Sequence, residues 1–366
     1  MAVFWAVNAT ACVPPVRFGP ERQHTAWTAY LGTPRHDASA AESLARAPSP
    51  AWRTRVGRAI PGAPAIGETV IALGTSDRMA VLVGRDSGQV LWQQRLGGTI
   101  HGGPLLAGDR LYFATELSPD ARVYALGMRT GDRIWSTRTG SIEAPLAVDG
   151  DRLYAATEGG MILGIATDHG RVQWRRQLSG AIRAAPIPTG AGLVVATTAD
   201  TLYLLDPATG VVRGRIGTPG AVLATPAVDA THVYAATTDG RVLAVALPEL
   251  AVTWSADAGG PVYGAPALVR DTLYVLSRAG RLTVIPVAGP DGAARWELGV
   301  ISRAGPTPIA GGVLVAGVDG VVHCIDTGTG AVRWELRTDA LLDVPPLVRD
   351  GQLVLVGERG EIRTYR

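Results

Sequence analysis

Apolar residues in this chain fall in short runs of four to eight, each cut off by Gly- and Asp-rich punctuation. The stretch Ala144 to Trp174, APLAVDGDRLYAATEGGMILGIATDHGRVQW, shows the unit. A Pro-led apolar run meets an Asp-Gly-Asp turn, then Leu-Tyr-Ala-Ala-Thr, a Gly-Gly turn, a third apolar run, and Gly170 with Trp174 four residues later. Runs of this length, alternating or continuous and bounded by turn residues, predict strands joined by tight hairpins rather than helices. The unit therefore reads as three strands and the start of a fourth.

The same unit recurs along almost the whole chain, tracked by two independent landmarks. A Pro opens each unit at Pro64, Pro104, Pro145, Pro186, Pro226, Pro266, Pro306 and Pro345, in steps of 39 to 41 residues. A Trp follows a turn Gly by four residues at Trp92, Trp135, Trp174, Trp296 and Trp334. The fourth unit has Gly214 in the Trp position, and the fifth keeps Trp254 but has Leu250 in place of the Gly. Four-stranded repeats of this period predict an all-β, eight-bladed β-propeller of antiparallel blades. The eighth unit, Val344 to Arg366, has room for three strands only. Residues 51 to 57, carrying Trp52, are predicted to supply its outer strand and close the ring, which removes exposed ring ends that would otherwise invite aggregation.

Each landmark has a physical reason. An indole at the start of an outer strand fills the gap between neighbouring blades, so Trp52, Trp92, Trp135, Trp174, Trp254, Trp296 and Trp334 are assigned to inter-blade packing. Truncating one to Ala would cost roughly 3–5 kcal/mol. The turn Gly supplies the positive φ of a tight hairpin. The Pro begins the innermost strand, where a missing N–H does least harm.

Composition narrows the function classes. A formal charge of +2 on 366 residues gives no electrostatic footprint for nucleic acid. All 34 basic residues are Arg, which excludes Schiff-base chemistry, a P-loop lysine and a Ser-Lys dyad. Two cysteines are too few for a disulfide framework. Cys324, inside the apolar run Val321 to Ile325, reads as a buried, inert thiol.

Cys12 is different. The apolar stretch Ala2 to Ala11 runs straight into it, and Ala9, Thr10 and Ala11 before it resemble the lipobox of a bacterial lipoprotein. Residues 1–12 are accordingly expected to be a truncated lipoprotein signal ending at a lipidated Cys12. Residues 13–50, rich in Pro, Ala, Arg and Ser, are expected to be a tether and a surface-packed lead-in docked by Trp27, Tyr30 and Leu31, and 51–366 the propeller. No stretch reaches the roughly 18–20 apolar residues of a membrane helix, so the expected attachment is by lipid anchor or partner.

The repeats resemble the pyrroloquinoline-quinone-type, BamB-like propeller repeat, whose hallmark is roughly Ala-x-Asp-x-x-Thr-Gly-x-x-x-Trp. Cys324-Ile325-Asp326-Thr327-Gly328-Thr329-Gly330 through Trp334 and Leu204 through Gly210 are similar to it. The resemblance implies either a quinoprotein dehydrogenase or a BamB-like envelope scaffold. The dehydrogenases use a vicinal Cys-Cys disulfide and calcium ligands that include Asn. This chain has no adjacent cysteines, and its one Asn is Asn8. The resemblance therefore implies a non-catalytic scaffold on the periplasmic side of the cell envelope, with no cofactor and with other proteins, in a membrane-protein complex, as partners. A small-ligand sensor or quinoprotein-type enzyme working at the funnel is the alternative.

No metalloprotease, Cys-x-x-Cys, nucleophile-elbow or phosphate-loop motif is present, and Gly190-Ala191-Gly192 reads as a hairpin turn. Candidate chemistry rests on position alone. The residue three before each opening Pro falls at the mouth of the central funnel: Pro61, His101, Ile142, Arg183, Leu223, Tyr263, Arg303 and Leu342. The next position adds Glu143 and Asp343. The candidate binding surface is thus His101, Glu143, Arg183, Tyr263, Arg303 and Asp343, with a plain solvated rim as the competing reading.

Overall fold

The Ala144–Trp174 stretch shows why this sequence makes blades. In a computed structural model, which describes residues 30–33, 36, 40–116, 119–357 and 359–366, it forms strands Ala147–Asp149, Arg152–Ala156, Met161–Ala166 and Val172–Gln177, paired antiparallel in that order. The two middle strands are buried almost throughout, because neighbouring blades cover both of their faces. The outer strand alternates, burying Trp174 and exposing the residues on either side of it. Among the described residues, eight such four-stranded sheets form the ring.

The eighth blade is composite. Strand Pro50–Arg55 pairs antiparallel with Glu361–Tyr365, in register Trp52↔Thr364 and Thr54↔Ile362, outside Gln352–Gly357 and Leu347–Arg349. Charge reinforces the seam. Arg53 reaches Glu361 at 2.5 Å, Arg363 reaches the same carboxylate at 2.7 Å, and Arg363 also bonds Asp339. The two guanidinium groups hold the Glu361 carboxyl below the usual carboxylate range.

The turn glycines and the tryptophans form one interlock. At five joints the indole N–H of one blade donates to a turn carbonyl of the next: Trp52 to Arg85, Trp92 to Met128, Trp135 to Thr167, Trp174 to Pro207 and Trp254 to Val287, at 2.8 to 3.1 Å. The ring then lies over the neighbour's turn Gly. A Cβ on Gly170 would come within 2.6 Å of Trp135, and one on Gly131 within 2.7 Å of Trp92. Gly is thus required twice, for its φ of +74° at both positions and for the indole above it. Trp296 lies likewise over Gly330.

The two irregular units are a single exchange. Gly214 leaves an empty seat where the fourth blade would place an indole, and Leu250, with φ +55° and buried, extends its side chain to within 3.0 Å of a Cβ built there. The side chain comes from the other side of the same joint.

The lead-in is more than a surface strap. Leu44 is buried in the core of the last two blades, and its carbonyl accepts the Trp334 indole N–H at 2.9 Å, standing in for the turn that the composite blade lacks. Glu42 accepts from the Ala310 backbone, and Ser49 exchanges backbone bonds with Arg366. Further upstream, the described residues turn inward: Leu31 belongs to one apolar cluster with Ala63, Ala265 and Val344 of the channel wall, and His36 Nδ1 donates to the Pro266 carbonyl at 2.8 Å. Of the expected docking residues, Tyr30 and Leu31 pack against this wall. Trp27 and Cys12 lie outside the described residues.

Candidate functional site

The funnel mouth is built by repetition. Innermost strands begin at Ala65, Leu105, Ala147, Ile187, Ala227, Ala267, Thr307 and Leu347. Counting back from these shows that Pro145 and Pro345 sit one residue ahead of their counterparts, which are Leu146 and Pro346. The register of two blades therefore shifts by one. Ile142 and Leu342 leave the mouth and join a buried ring with Ile60, Ile100, Ile182, Val222, Val262 and Ser302, none more than 4% exposed. Glu143 and Asp343 take the mouth positions. One residue per blade then faces the funnel: Pro61, His101, Glu143, Arg183, Leu223, Tyr263, Arg303 and Asp343.

All six candidate residues line one cavity of about 170 Å³, together with Tyr30 of the lead-in. Burial pushes the Tyr30 phenol up to about 12. Blade backbones close tightly below the mouth. A Cβ on Gly305 would sit 2.2 Å from the Ala265 carbonyl, and one on Gly103 would sit 2.5 Å from that of Ala63.

A second ring surrounds the first, and the Pro landmark did not reveal it. In seven blades the residue after the second strand's closing Thr, Ser or Gly donates its N–H to the residue two before the mouth position: Ser76 to Ala59, Glu116 to Thr99, Glu158 to Ser141, Thr198 to Ala181, Thr238 to Ala221, Arg278 to Pro261 and Val318 to Ile301, at 2.8 to 3.0 Å. The preceding hydroxyl fixes the hairpin by accepting a backbone N–H, as Thr115 does from Arg122 at 3.0 Å and Thr157 from Met161 at 3.0 Å. A Thr-x pair recurring at 40 to 42 residues is the sequence signal that marks this ring.

Polar groups of the mouth pair with one another and with the second ring. His101 Nδ1 meets Glu116 Oε1. Arg183 spans to Glu158 at 3.2 Å and Glu143 at 3.6 Å, and Arg303 meets Asp343 at 3.4 Å. The Arg278 guanidinium lies 5.4 Å from the Tyr263 ring centre, a cation–π contact. Burial first, and then the neighbouring Glu158, push the Glu143 carboxyl above its ordinary range despite Arg183. One sector, blades two to four, is thus rich in carboxylate. The sector across the funnel presents Tyr263, Ile301 and Leu341 as exposed apolar groups.

Cys324, by contrast, is fully buried in the seventh blade, and desolvation raises its thiol to about 11. No helix among the described residues is long and apolar enough to cross a membrane.

Comparison with known proteins agrees with this geometry. The outer membrane protein assembly factor BamB of Moranella endobia is 23% identical over 330 residues, covering 82% of this chain and 83% of that one. The crystal structure of BamB from Moraxella catarrhalis superposes with a TM-score of 0.74 at 18% identity, covering 87% of this chain and all of that one. Quinohemoprotein alcohol dehydrogenase from Comamonas testosteroni shares the fold, with a TM-score of 0.73 at 13% identity over 94% of this chain and 81% of that one. The family model described as outer membrane protein assembly factor BamB matches residues 38–187, 119–212, 183–305 and 284–366, and with that coverage the chain belongs to the BamB family of eight-bladed propellers.

Proposed function

We propose that this chain is a non-catalytic scaffold of the cell envelope, a BamB-type subunit that holds other proteins together during outer-membrane protein assembly. The observation that carries the reading is family membership across the whole ring, from residue 38 to 366. The funnel supports it. Arg183, Arg303 and His101 each have a carboxylate partner, so the mouth is a polar rim suited to protein contact. A polyanionic quinone does not fit these residues well, since both mouth arginines are already paired and Cys324 is buried away from the cavity. The six mouth residues are the proposed contact surface, and the periplasmic side of the envelope, with attachment through a lipid on Cys12 or through the partner, is the proposed location.

Crosslinking of the full chain in intact cells, followed by affinity capture, tests the reading. An outer-membrane assembly complex should be captured, and its yield should fall several-fold when Arg183, Tyr263 and Arg303 are all replaced by Ala. Recovery of the chain alone would overturn the scaffold. Capture undiminished in the triple variant would remove the mouth from the contact surface. The fold shared with quinohemoprotein alcohol dehydrogenases supports one further reading, an enzyme or ligand sensor at the funnel. It requires thermal stabilisation by a small molecule, abolished in the Arg183→Ala, Arg303→Ala variant.

A further inference from the structure

Three side chains from separate segments converge in the acidic sector of the mouth. His101 comes from the segment leading into the second blade, Glu116 from that blade's hairpin, and Glu143 from the segment leading into the third. One donor atom from each lies within 4.8 Å of the others. We propose that His101, Glu116 and Glu143 form a binding site for a divalent transition-metal ion of the zinc type.

The donor set selects the ion. Imidazole nitrogen and carboxylate oxygen are both ligands that zinc takes, and three protein ligands leave a fourth position for water. Calcium and magnesium are hard cations that take oxygen ligands, so the imidazole of His101 turns the preference toward zinc-type ions. Zinc bonds of roughly 2.0–2.2 Å set tetrahedral ligand atoms about 3.4 Å apart, so the His101–Glu116 contact must open while the Glu143 carboxylate adjusts to the ion. The side chains can do so, since His101 and Glu143 are about one-third exposed at the open mouth.

The surroundings fit a cation. Glu116, Glu143 and Glu158 face one another across this sector against a single guanidinium, Arg183. A divalent ion would offset the remaining negative charge. Glu158 lies against Glu143 and is bonded to Arg183, so it is placed to orient a ligating carboxylate from outside, as outer partners do in metal sites. The backbone holding Glu116 is fixed by its bond to Thr99 at 2.8 Å and the bridge between the same two residues. Other sectors of the mouth lack this combination among the described residues: Arg303 pairs with Asp343, and Tyr263 with Arg278.

The test uses the full chain stripped with EDTA and titrated with ZnCl2 by calorimetry. One ion per chain should bind, with affinity at least tenfold weaker in His101→Ala and in Glu116→Gln and unchanged in Asp343→Asn. Cobalt(II) should give a visible absorption band that both site variants lose, and excess MgCl2 should not displace it. Should His101→Ala fail to fold, Glu143→Gln, which keeps the side chain's shape, decides in its place. Absence of stoichiometric binding, equal affinity in the site variants, or displacement by magnesium would each overturn the site. None of these results bears on whether the propeller captures protein partners.

Discussion

The exchange between Gly214 and Leu250 can be reversed by mutation. Leu250→Gly removes a buried side chain. Losses of this kind cost about 2–5 kcal/mol, offset by about 1 kcal/mol as a non-Gly residue leaves the left-handed region, so the net cost is about 1–4 kcal/mol. Gly214→Trp alone forces an indole into space that Leu250 fills 3.0 Å away, an overpacking of about 1–3 kcal/mol. If the two sites were independent, the double variant would lose about 2–7 kcal/mol, the sum of these two ranges. In the interlock it should instead recover the common joint. The new indole would lie over the bare backbone at position 250, and its N–H would find a turn carbonyl about 33 residues on, as Trp174 finds Pro207. The coupling should then be about 2–3 kcal/mol in the stabilising direction. Urea unfolding followed by far-UV circular dichroism measures the cycle. Costs that add to within about 0.5 kcal/mol would refute the claim that Leu250 occupies the missing indole's seat.

The seam of the composite blade predicts a pH dependence: Arg53 and Arg363 depress the Glu361 carboxyl, so its stabilisation is full above the ordinary carboxylate range and is lost as pH falls through the depressed value. Glu361→Gln should cost about 1–2 kcal/mol at neutral pH and flatten the acid limb of a stability profile; an unaltered limb would contradict it. Trp334→Phe keeps most of the packing but loses the bond to Leu44, about 1 kcal/mol, and limited proteolysis should then cut ahead of residue 50 more readily than in the native chain. In a Cys12→Ser background, Cys324 should stay silent toward a thiol-reactive dye until denaturant is added; reaction on mixing would show that the raised thiol is not shielded.

Fold was far more legible in the sequence than site. Blade number and closure could be counted because Pro and Trp mark the same joint in almost every repeat, and a joint that must bury an indole over a backbone tolerates few residue types. The mouth was harder. An opening Pro is favoured just before the innermost strand but not tied to one position, so Pro145 and Pro345 misled the count by one residue and placed Ile142 and Leu342 in the funnel. Glu116 and Glu158 were overlooked for another reason: their defining feature is a backbone bond to a neighbouring segment, which any residue except Pro can make. Leu250 and Gly214 looked like two lapses in the motif, since sequence shows what each unit lacks but not that two lacks share one joint.

The composite blade also dictates an order of events. Pro50–Arg55 is made before any complete blade, yet its strand partner Glu361–Tyr365 emerges only after the other seven. Seven blades can form from local hairpins as they appear, while the closing pair must join residues some 300 positions apart. Until then Glu361–Tyr365 is an unpaired sheet edge of the incomplete eighth blade, able to recruit another chain. Closure is therefore expected to come late and at one seam, and the charge cluster of Arg53, Glu361 and Arg363 stands where the two ends must find each other.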